Sequence, residues 1–262
     1  MKHKYCKNPV SFADMIDLIN RLLGPGGCEW DKSQTFVSIR RFLLEETHEL
    51  IEAITENNVS EILDEIGDLI FQLGFLVVLA KNIGWFDEKD VFNGIISKMI
   101  QRHPHIFQNP QKLKKSEVQL NWNKIKSETT RGLNAPVLGS VPKSSPSLVA
   151  ALLIQERASS VGFDWLEYEQ VLAKVPEEIE EIRKASTAVN KEEEFGDLLF
   201  SIVNVARWIG INPELALKTA NDKFIGRFQK MAFVAKSRGS DLNDMSFVEK
   251  NKLWEEIKIN TD

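Results

Sequence analysis

The feature that most constrains the fold of this chain is an acidic helical pattern that occurs twice. Residues 64–71 read D-E-I-G-D-L-I-F, and residues 193–200 read E-E-F-G-D-L-L-F. Each copy sets an E-x-x-D pair into an apolar run, and each follows an E-E-x-x-E segment, at 45–49 and 177–181. The copies lie about 130 residues apart, a period too long for a solenoid. The pattern therefore predicts two tandem domains related by internal duplication.

Helical periodicity runs through both halves, without convincing alternating strand patterns, and it predicts an all-α fold of two helical-bundle domains. Residues 129–147 contain three prolines and little periodicity, which predicts a linker. The expected domains are then residues 1–128 and 148–262. The predicted helices cover 12–23, 36–55, a segment ending near 82, 88–102, 117–127, 148–160, 168–188, 192–209, 213–236 and a last one after Ser246.

Composition limits the class of protein. The 262 residues are 43% hydrophobic and 27% charged, as in an ordinary soluble globular protein. A net charge of −5 argues against a protein that coats nucleic acid, and two cysteines favour a reducing cytosol. The longest apolar run, 69–80, is shorter than the ~20 residues of a membrane helix. We expect a cytoplasmic protein without membrane or direct nucleic-acid partners.

The repeated acids predict metal sites. On a helical wheel, each acidic pair lies on the border of its helix's apolar face, so packing of the two faces brings four carboxylates together. The predicted ligands are Glu46, Glu49, Glu65 and Asp68 in the first half and Glu178, Glu181, Glu194 and Asp197 in the second. Clustered carboxylates repel one another and are costly to desolvate, unless a cation neutralises them. All-oxygen ligation favours Mg²⁺, with Mn²⁺ as the other candidate.

The alternative interpretation is that these acids form a solvated helix face. Their recurrence on the same border in both halves weakens it. Gly67 and Gly196 precede the aspartates, and a glycine inside a helix costs about 1 kcal/mol relative to alanine. We therefore expect a close helix approach beside each site.

Basic and aromatic residues repeat as well. Lys98 and Arg102 are four residues apart after the first acidic site, as Lys223 and Arg227 are after the second. These pairs suit phosphate, although surface lysines and arginines also serve solubility. Tryptophans recur at corresponding places and could stack on a base, but core packing is the commoner use of this residue. They are Trp30, Trp122, Trp165 and Trp254.

The histidines do not indicate a di-iron site. Glu45 and His48 match the E-x-x-H motif of di-iron bundles, which need two such motifs. The second half contains no histidine, so we interpret His48 as incidental.

Combined motifs over almost the whole chain resemble the MazG family. In the first half these are G-G-C-x-W-D-x-x-Q-T (26–35), E-E-x-x-E (45–49), E-x-G-D-L (65–69) and R-H-P-H-x-F (102–107). In the second half they are V-G-F-D-W (161–165), K-V-x-E-E-x-x-E (174–181), E-E-E-x-G-D-L-L-F (192–200) and K-F-x-x-R-F (223–228).

The resemblance implies a Mg²⁺-dependent, dimeric enzyme that hydrolyses NTPs and dNTPs to the monophosphate and pyrophosphate. It implies that all eight acids bind metal and that the C-terminal domain, with catalytic Glu178, Glu181, Glu194 and Asp197, is the main hydrolase. The nucleotide contacts it implies are Lys174, Glu177, Lys223, Arg227 and Trp254, with Lys98 and Arg102 as first-half counterparts. The alternatives are a narrower dUTP or phosphoribosyl-ATP pyrophosphatase, and a regulatory module that binds nucleotide without hydrolysing it.

Overall fold

All regular secondary structure in the described part of the chain is helical, as the periodicity predicts. The structure is a computed structural model that describes residues 11–114, 117–118, 121–122, 125, 138–139 and 141–259. The described chain forms two compact units that divide between Leu113 and Lys114. Most of the predicted linker, residues 129–147, and most of the predicted helix 117–127 lie outside the described residues.

The first unit is built around a bundle of three helices. Its helices are α1 (Phe12–Leu23), α2 (Glu29–Lys32), α3 (Phe36–Glu56), α4 (Val59–Asn82), α5 (Glu88–Arg102) and α6 (Pro104–Phe107). Helix α4 packs against both α1 and α3. Ile16, Ile19, Ile39, Phe75 and Val78 are almost fully buried where these three helices meet. Burial of these side chains supplies the main driving force for packing.

Local sequence fixes where these helices begin. Ser11, Thr35 and Asp87 each cap a helix by accepting a hydrogen bond from the backbone N–H three residues later. Such caps satisfy donors that have no partner within the helix. They explain why α1, α3 and α5 start where the sequence predicts.

The second unit contains the other helices whose bounds both fall within the described residues. They are α7 (Ser147–Ser159), α8 (Tyr168–Lys184), α9 (Ala188–Trp208), α10 (Pro213–Ser237) and α11 (Phe247–Ile259). Helix α9 packs on α8, α7 and α10, and α11 packs on α10. Val171 of α8 and Val203 of α9 are fully buried, and Met231 and Leu253 belong to a second buried cluster between α10 and α11.

Two predicted helix ends on either side of Thr187 are wrong. The helix predicted over 168–188 ends at Lys184, and the helix predicted over 192–209 begins at Ala188, because the Thr187 side chain caps that helix, 3.1 Å from the Asn190 N–H. Pro104–Phe107, which lies between the helices predicted over 88–102 and 117–127, forms the one-turn helix α6.

Every helix in the described part of the chain is too short or too polar to cross a bilayer.

Candidate metal centres

Three carboxylates meet between α3 and α4 of the first unit. Glu46 and Glu49 project from α3, and Glu65 projects from α4. One oxygen from each lies within 4.8 Å of the other two. We call this group the first trio. It forms because i,i+3 spacing sets Glu46 and Glu49 on one face of α3, and the α3–α4 packing brings that face against α4.

The first trio is electrostatically strained. Burial raises the pKa of Glu46, and the neighbouring charges of Asp68 and Glu49 raise it further, whereas a hydrogen bond from Gln72 lowers it. Burial and then the charge of Glu49 likewise raise the pKa of Glu65. The Oε2 atom of Glu65 is buried without a hydrogen-bond partner in the described structure. A cation would relieve both the repulsion and the missing contact.

The second unit repeats this arrangement between α8 and α9. Glu178 and Glu181 of α8 and Glu194 of α9 again offer oxygens that all lie within 4.8 Å of one another. We call this group the second trio. Glu178 is only 5% exposed, which is unusual for a glutamate. Partial burial raises the pKa of Glu181, and the hydrogen bond and charge of Glu178 raise it further.

A lysine contacts the second trio. The Nζ atom of Lys174 lies 3.1 Å from Oε1 of Glu178 and 2.8 Å from Oε1 of Glu177. The hydrogen bond to Glu177, together with that to Glu178, raises the pKa of Lys174, so the ammonium form is favoured. Two of the residues assigned to nucleotide contact from the family resemblance, Lys174 and Glu177, thus lie beside the carboxylates.

The aspartate of each predicted quartet lies outside its trio. Asp68 acts on Glu46 and Glu65 through its charge, but it is not among the three acids whose oxygens converge. Asp197 likewise follows Glu194 on α9 without joining the second trio. An aspartate is one methylene shorter than a glutamate, so it needs a closer backbone to reach the same point.

The predicted basic residues lie in contrasting environments. Lys98 and Lys223 are exposed on α5 and α10, and Arg102 is half-buried at the end of α5. Arg227 is only 8% exposed, although arginine is rarely buried. Its burial shows that this turn of α10 is not an ordinary solvated helix face.

The tryptophans also differ in their surroundings. Trp30 is 59% exposed, and its ring lies 5.8 Å from that of Phe42. Trp165 is exposed, and Trp122 is half-buried. Trp254 is half-buried, packs beside the α10–α11 cluster and lies 5.1 Å from the Phe224 ring. Core packing thus explains part of the burial of Trp254.

The interpretation of the two repeated glycines is wrong within this chain. A Cβ atom at Gly67 or Gly196 would meet nothing within 4 Å, so neither marks a close helix approach. The tight contact lies at Gly74 instead, where a Cβ would come within 2.8 Å of Met15 and 3.1 Å of Ile19.

Two features of these sites were not predicted from the sequence. Gln72 follows Asp68 by four residues on α4, and this spacing could have placed its amide beside the acids. In the second unit Arg207 binds both oxygens of Asp164, at 2.9 and 2.5 Å, and Trp208 donates to the same carboxylate. Arg207 follows Asp164 by 43 residues, so no local sequence pattern predicts this contact.

Both trios have a donor set that suits a small hard cation. A Mg²⁺ ion holds its oxygens about 2.1 Å away, which keeps them at most about 4.2 Å apart. The observed limit of 4.8 Å is within reach of a small rotation of the carboxylates. All the converging atoms are carboxylate oxygens, the ligand type that Mg²⁺ and Mn²⁺ prefer. We conclude that both trios fit a divalent cation.

Comparisons with known proteins agree with this chemistry. The family model of the MazG nucleotide pyrophosphohydrolase domain matches residues 34–107, which contain the first trio. A nucleoside triphosphate pyrophosphohydrolase/pyrophosphatase MazG of Thermotoga maritima is 37% identical over 249 residues, covering 95% of this chain and 96% of the relative. A nucleoside triphosphate pyrophosphohydrolase of Escherichia coli is 38% identical over 251 residues, covering 93% and 95%. The chain therefore belongs to the MazG family of nucleoside triphosphate pyrophosphohydrolases.

Proposed function

We propose that this protein hydrolyses NTPs and dNTPs to the nucleoside monophosphate and pyrophosphate, with Mg²⁺ or Mn²⁺ at the second trio. The observation that carries the proposal is the convergence of Glu178, Glu181 and Glu194 between α8 and α9. Family membership supplies the reaction class, and the oxygen-only donors supply the class of metal. Cleavage between the α- and β-phosphates follows from the pyrophosphohydrolase names of the relatives.

The residues of the second unit have distinct roles in this proposal. Glu178, Glu181 and Glu194 would hold the cation, with Asp197 as the further ligand that the family resemblance implies. A Mg²⁺ ion held by these carboxylates would supply positive charge beside the phosphates and lower the pKa of water. Lys174, Lys223 and Arg227 neutralise the triphosphate and the departing pyrophosphate, Glu177 orients Lys174, and Trp254 contacts the base.

The first trio supports a second cation site. Glu46, Glu49 and Glu65 repeat the geometry of the second trio, with Asp68 as the additional ligand and Lys98 and Arg102 as phosphate contacts. We propose that this unit binds the same class of ligand and that the second unit is the main hydrolase. Control of the cytosolic nucleotide pool is the corresponding cellular role.

We further propose a homodimer. Exposed apolar side chains form the same stripe on the two helices that contain E-x-x-D. The stripe consists of Ile66, Ile70 and Leu73 on α4 and of Phe195, Leu199 and Ile202 on α9. Repeated exposed stripes of this kind are typical of surfaces that another helix covers. Pairing of equivalent units would bury both stripes and leave Gly67 and Gly196 facing the partner.

The experiment that tests the reaction is product analysis by ³¹P NMR. The full chain is incubated with each NTP and dNTP in MgCl₂, and separately in EDTA. We expect pyrophosphate and the monophosphate with Mg²⁺ and no turnover in EDTA. A nucleoside diphosphate with single phosphate would contradict the proposed cleavage site. Strong preference for one nucleotide would identify a narrower enzyme, and binding without turnover would identify a regulatory module.

A matched pair of variants assigns the reaction to the second trio. Glu178→Ala removes a buried carboxylate, and we expect turnover to fall at least about 100-fold, since even indirect metal contacts are worth 10–100-fold. Glu180→Ala removes an exposed carboxylate of the same helix that pairs only with Arg183 and Lys184 in the described contacts. It should retain activity, and both variants should retain the helical circular dichroism spectrum. Unchanged turnover in Glu178→Ala would exclude the second trio.

A further inference from the structure

The two trios differ in the residue four positions before their first glutamate, which is Glu46 in the first unit and Glu178 in the second. In the second unit this residue is Lys174, and in the first unit it is Phe42. The i,i+4 spacing sets the residue directly above the glutamate on the same helix face. The duplicated sites therefore share their carboxylates but not the charge beside them.

In the second unit the lysine already neutralises part of the trio. Its ammonium lies 3.1 Å from Glu178, whose side chain is 7% exposed, so little solvent screens the pair. Lys174 is itself 31% exposed and also contacts Glu177, which keeps it beside the site. A divalent cation that binds Glu178 has to share this carboxylate with the ammonium or displace it.

In the first unit the corresponding position supplies no charge. Phe42 packs against the α1–α3–α4 core, with its ring 5.8 Å from that of Trp30. The preceding Arg41 lies over the Phe42 ring and pairs with the exposed Glu45. The side chain that donates a hydrogen bond to Glu46 is the neutral Gln72. The charged groups acting most strongly on Glu46 and Glu65 are all carboxylates.

We infer that Lys174 is a built-in counter-ion that weakens divalent-cation binding at the second trio, so that the first trio binds the cation more tightly and fills first. The inference rests on the proposed function, since it assumes that both trios hold a cation. It adds an order of filling, and it implies that a nucleotide that draws the lysine away to its phosphates tightens cation binding at the second site.

Electrostatics sets the size of the effect. A cation about 2.1 Å from the Glu178 oxygen would lie about 5 Å from the ammonium. The repulsion between a double and a single charge at that distance, taken with the dielectric constant of water and little screening by salt because Glu178 is buried, changes affinity about tenfold. Removal of the lysine charge should therefore raise the cation affinity of the second trio to nearly that of the first.

The test is a Mn²⁺ titration of the full chain without nucleotide, followed by electron paramagnetic resonance of the free ion. The wild type should show two classes of site. We expect Glu46→Gln to weaken the tighter class and Glu178→Gln to weaken the looser class. Lys174→Met should tighten the looser class about tenfold, whereas Lys174→Arg keeps the charge and should leave it nearly unchanged. Circular dichroism checks that each variant remains folded.

The outcomes separate this inference from the proposed function. The counter-ion role is overturned if Lys174→Met leaves the dissociation constant of the looser class unchanged, or if Glu178→Gln weakens the tighter class. Neither result contradicts the proposed hydrolysis. Two classes that respond as expected, without cleavage of any nucleotide, support the counter-ion role and reject the proposed function. Failure of Mn²⁺ to bind either trio at millimolar concentration rejects both.

Discussion

Glu46→Gln should stabilise the protein when no divalent cation is present. The Glu46 carboxylate lies within 4.8 Å of the nearest oxygens of Glu49 and Glu65. Glutamine keeps the shape of the side chain and can still accept the hydrogen bond from Gln72, but it removes the charge. The variant therefore isolates the repulsion within the first trio from its packing.

The expected gain follows from the distances. Two unit charges 4.8 Å apart repel by about 0.9 kcal/mol in water, and physiological salt roughly halves this energy. Neutralising Glu46 removes two such repulsions, so the free energy of unfolding should rise by about 1 kcal/mol. For a unit of this size the melting temperature should rise by about 4 °C.

The pH dependence of stability provides an independent check that Glu46→Gln raises, and does not lower, the free energy of unfolding. The folded-state pKa of Glu46 is raised above its ordinary value of 4.5, so the ionised carboxylate lowers the free energy of unfolding at pH values above the folded-state pKa. This destabilisation disappears as the pH falls through that pKa towards 4.5. The stability gain of Glu46→Gln should therefore be full at pH 7 and lost near pH 4.5.

The assay is thermal denaturation in EDTA and in excess Mn²⁺, with Glu52→Gln as a control for net charge because Glu52 is exposed on the same helix. In EDTA only Glu46→Gln should melt higher than the wild type. In Mn²⁺ the order should reverse, because the wild type gains about 2.7 kcal/mol at a hundred times its dissociation constant. Equal melting temperatures in EDTA, or no reversal in Mn²⁺, would refute the reasoning.

Three further predictions concern the scaffold. Arg207→Ala should lower the free energy of unfolding, measured by chemical denaturation, by about 2 kcal/mol. Burial raises the pKa of Asp164, but the hydrogen bond and charge of Arg207 lower it by more, to below its ordinary value of 3.8. The effect of the variant should therefore fade as the pH falls below 3.8. Gly27→Ala should destabilise by more than about 1 kcal/mol, because its Cβ would lie 2.0 Å from the Leu22 carbonyl oxygen, whereas Gly94→Ala, which meets nothing, should not. Ile70→Asp together with Leu199→Asp should convert a dimer to a monomer in sedimentation velocity, and an unchanged sedimentation coefficient would exclude the two stripes as the interface.

Local sequence signals predicted the helices well because residues that cap helices stand at the helix ends. The Asn212 side chain accepts from the Glu214 and Leu215 N–H groups where α10 begins at Pro213, and Ser246 and Glu249 form a capping box before α11. These signals act over a few residues, so sequence alone resolves them. The early end of α8 at Lys184 was missed because the cap formed by Thr187 competes with continuation of the helix.

The convergence of acidic side chains was predicted only in part. Wheel positions correctly brought glutamates of adjacent helices together, because side-chain direction follows from helical spacing. Spacing does not measure the gap between two helix axes, so it could not separate the three converging glutamates from Asp68 and Asp197. For the same reason the Asp164–Arg207 pair was not predicted. The interpretation of Gly67 was wrong because its surroundings depend on which helix lies opposite.

Crystallography with Mn²⁺ tests the central claim most directly. Crystals of the full chain are grown in MnCl₂, and anomalous difference density is calculated at the manganese edge. The account predicts a peak among the carboxylate oxygens of Glu178, Glu181 and Glu194, within about 2.2 Å of at least two of them. Absence of a peak at these glutamates, with the three side chains pointing apart into solvent, would contradict it.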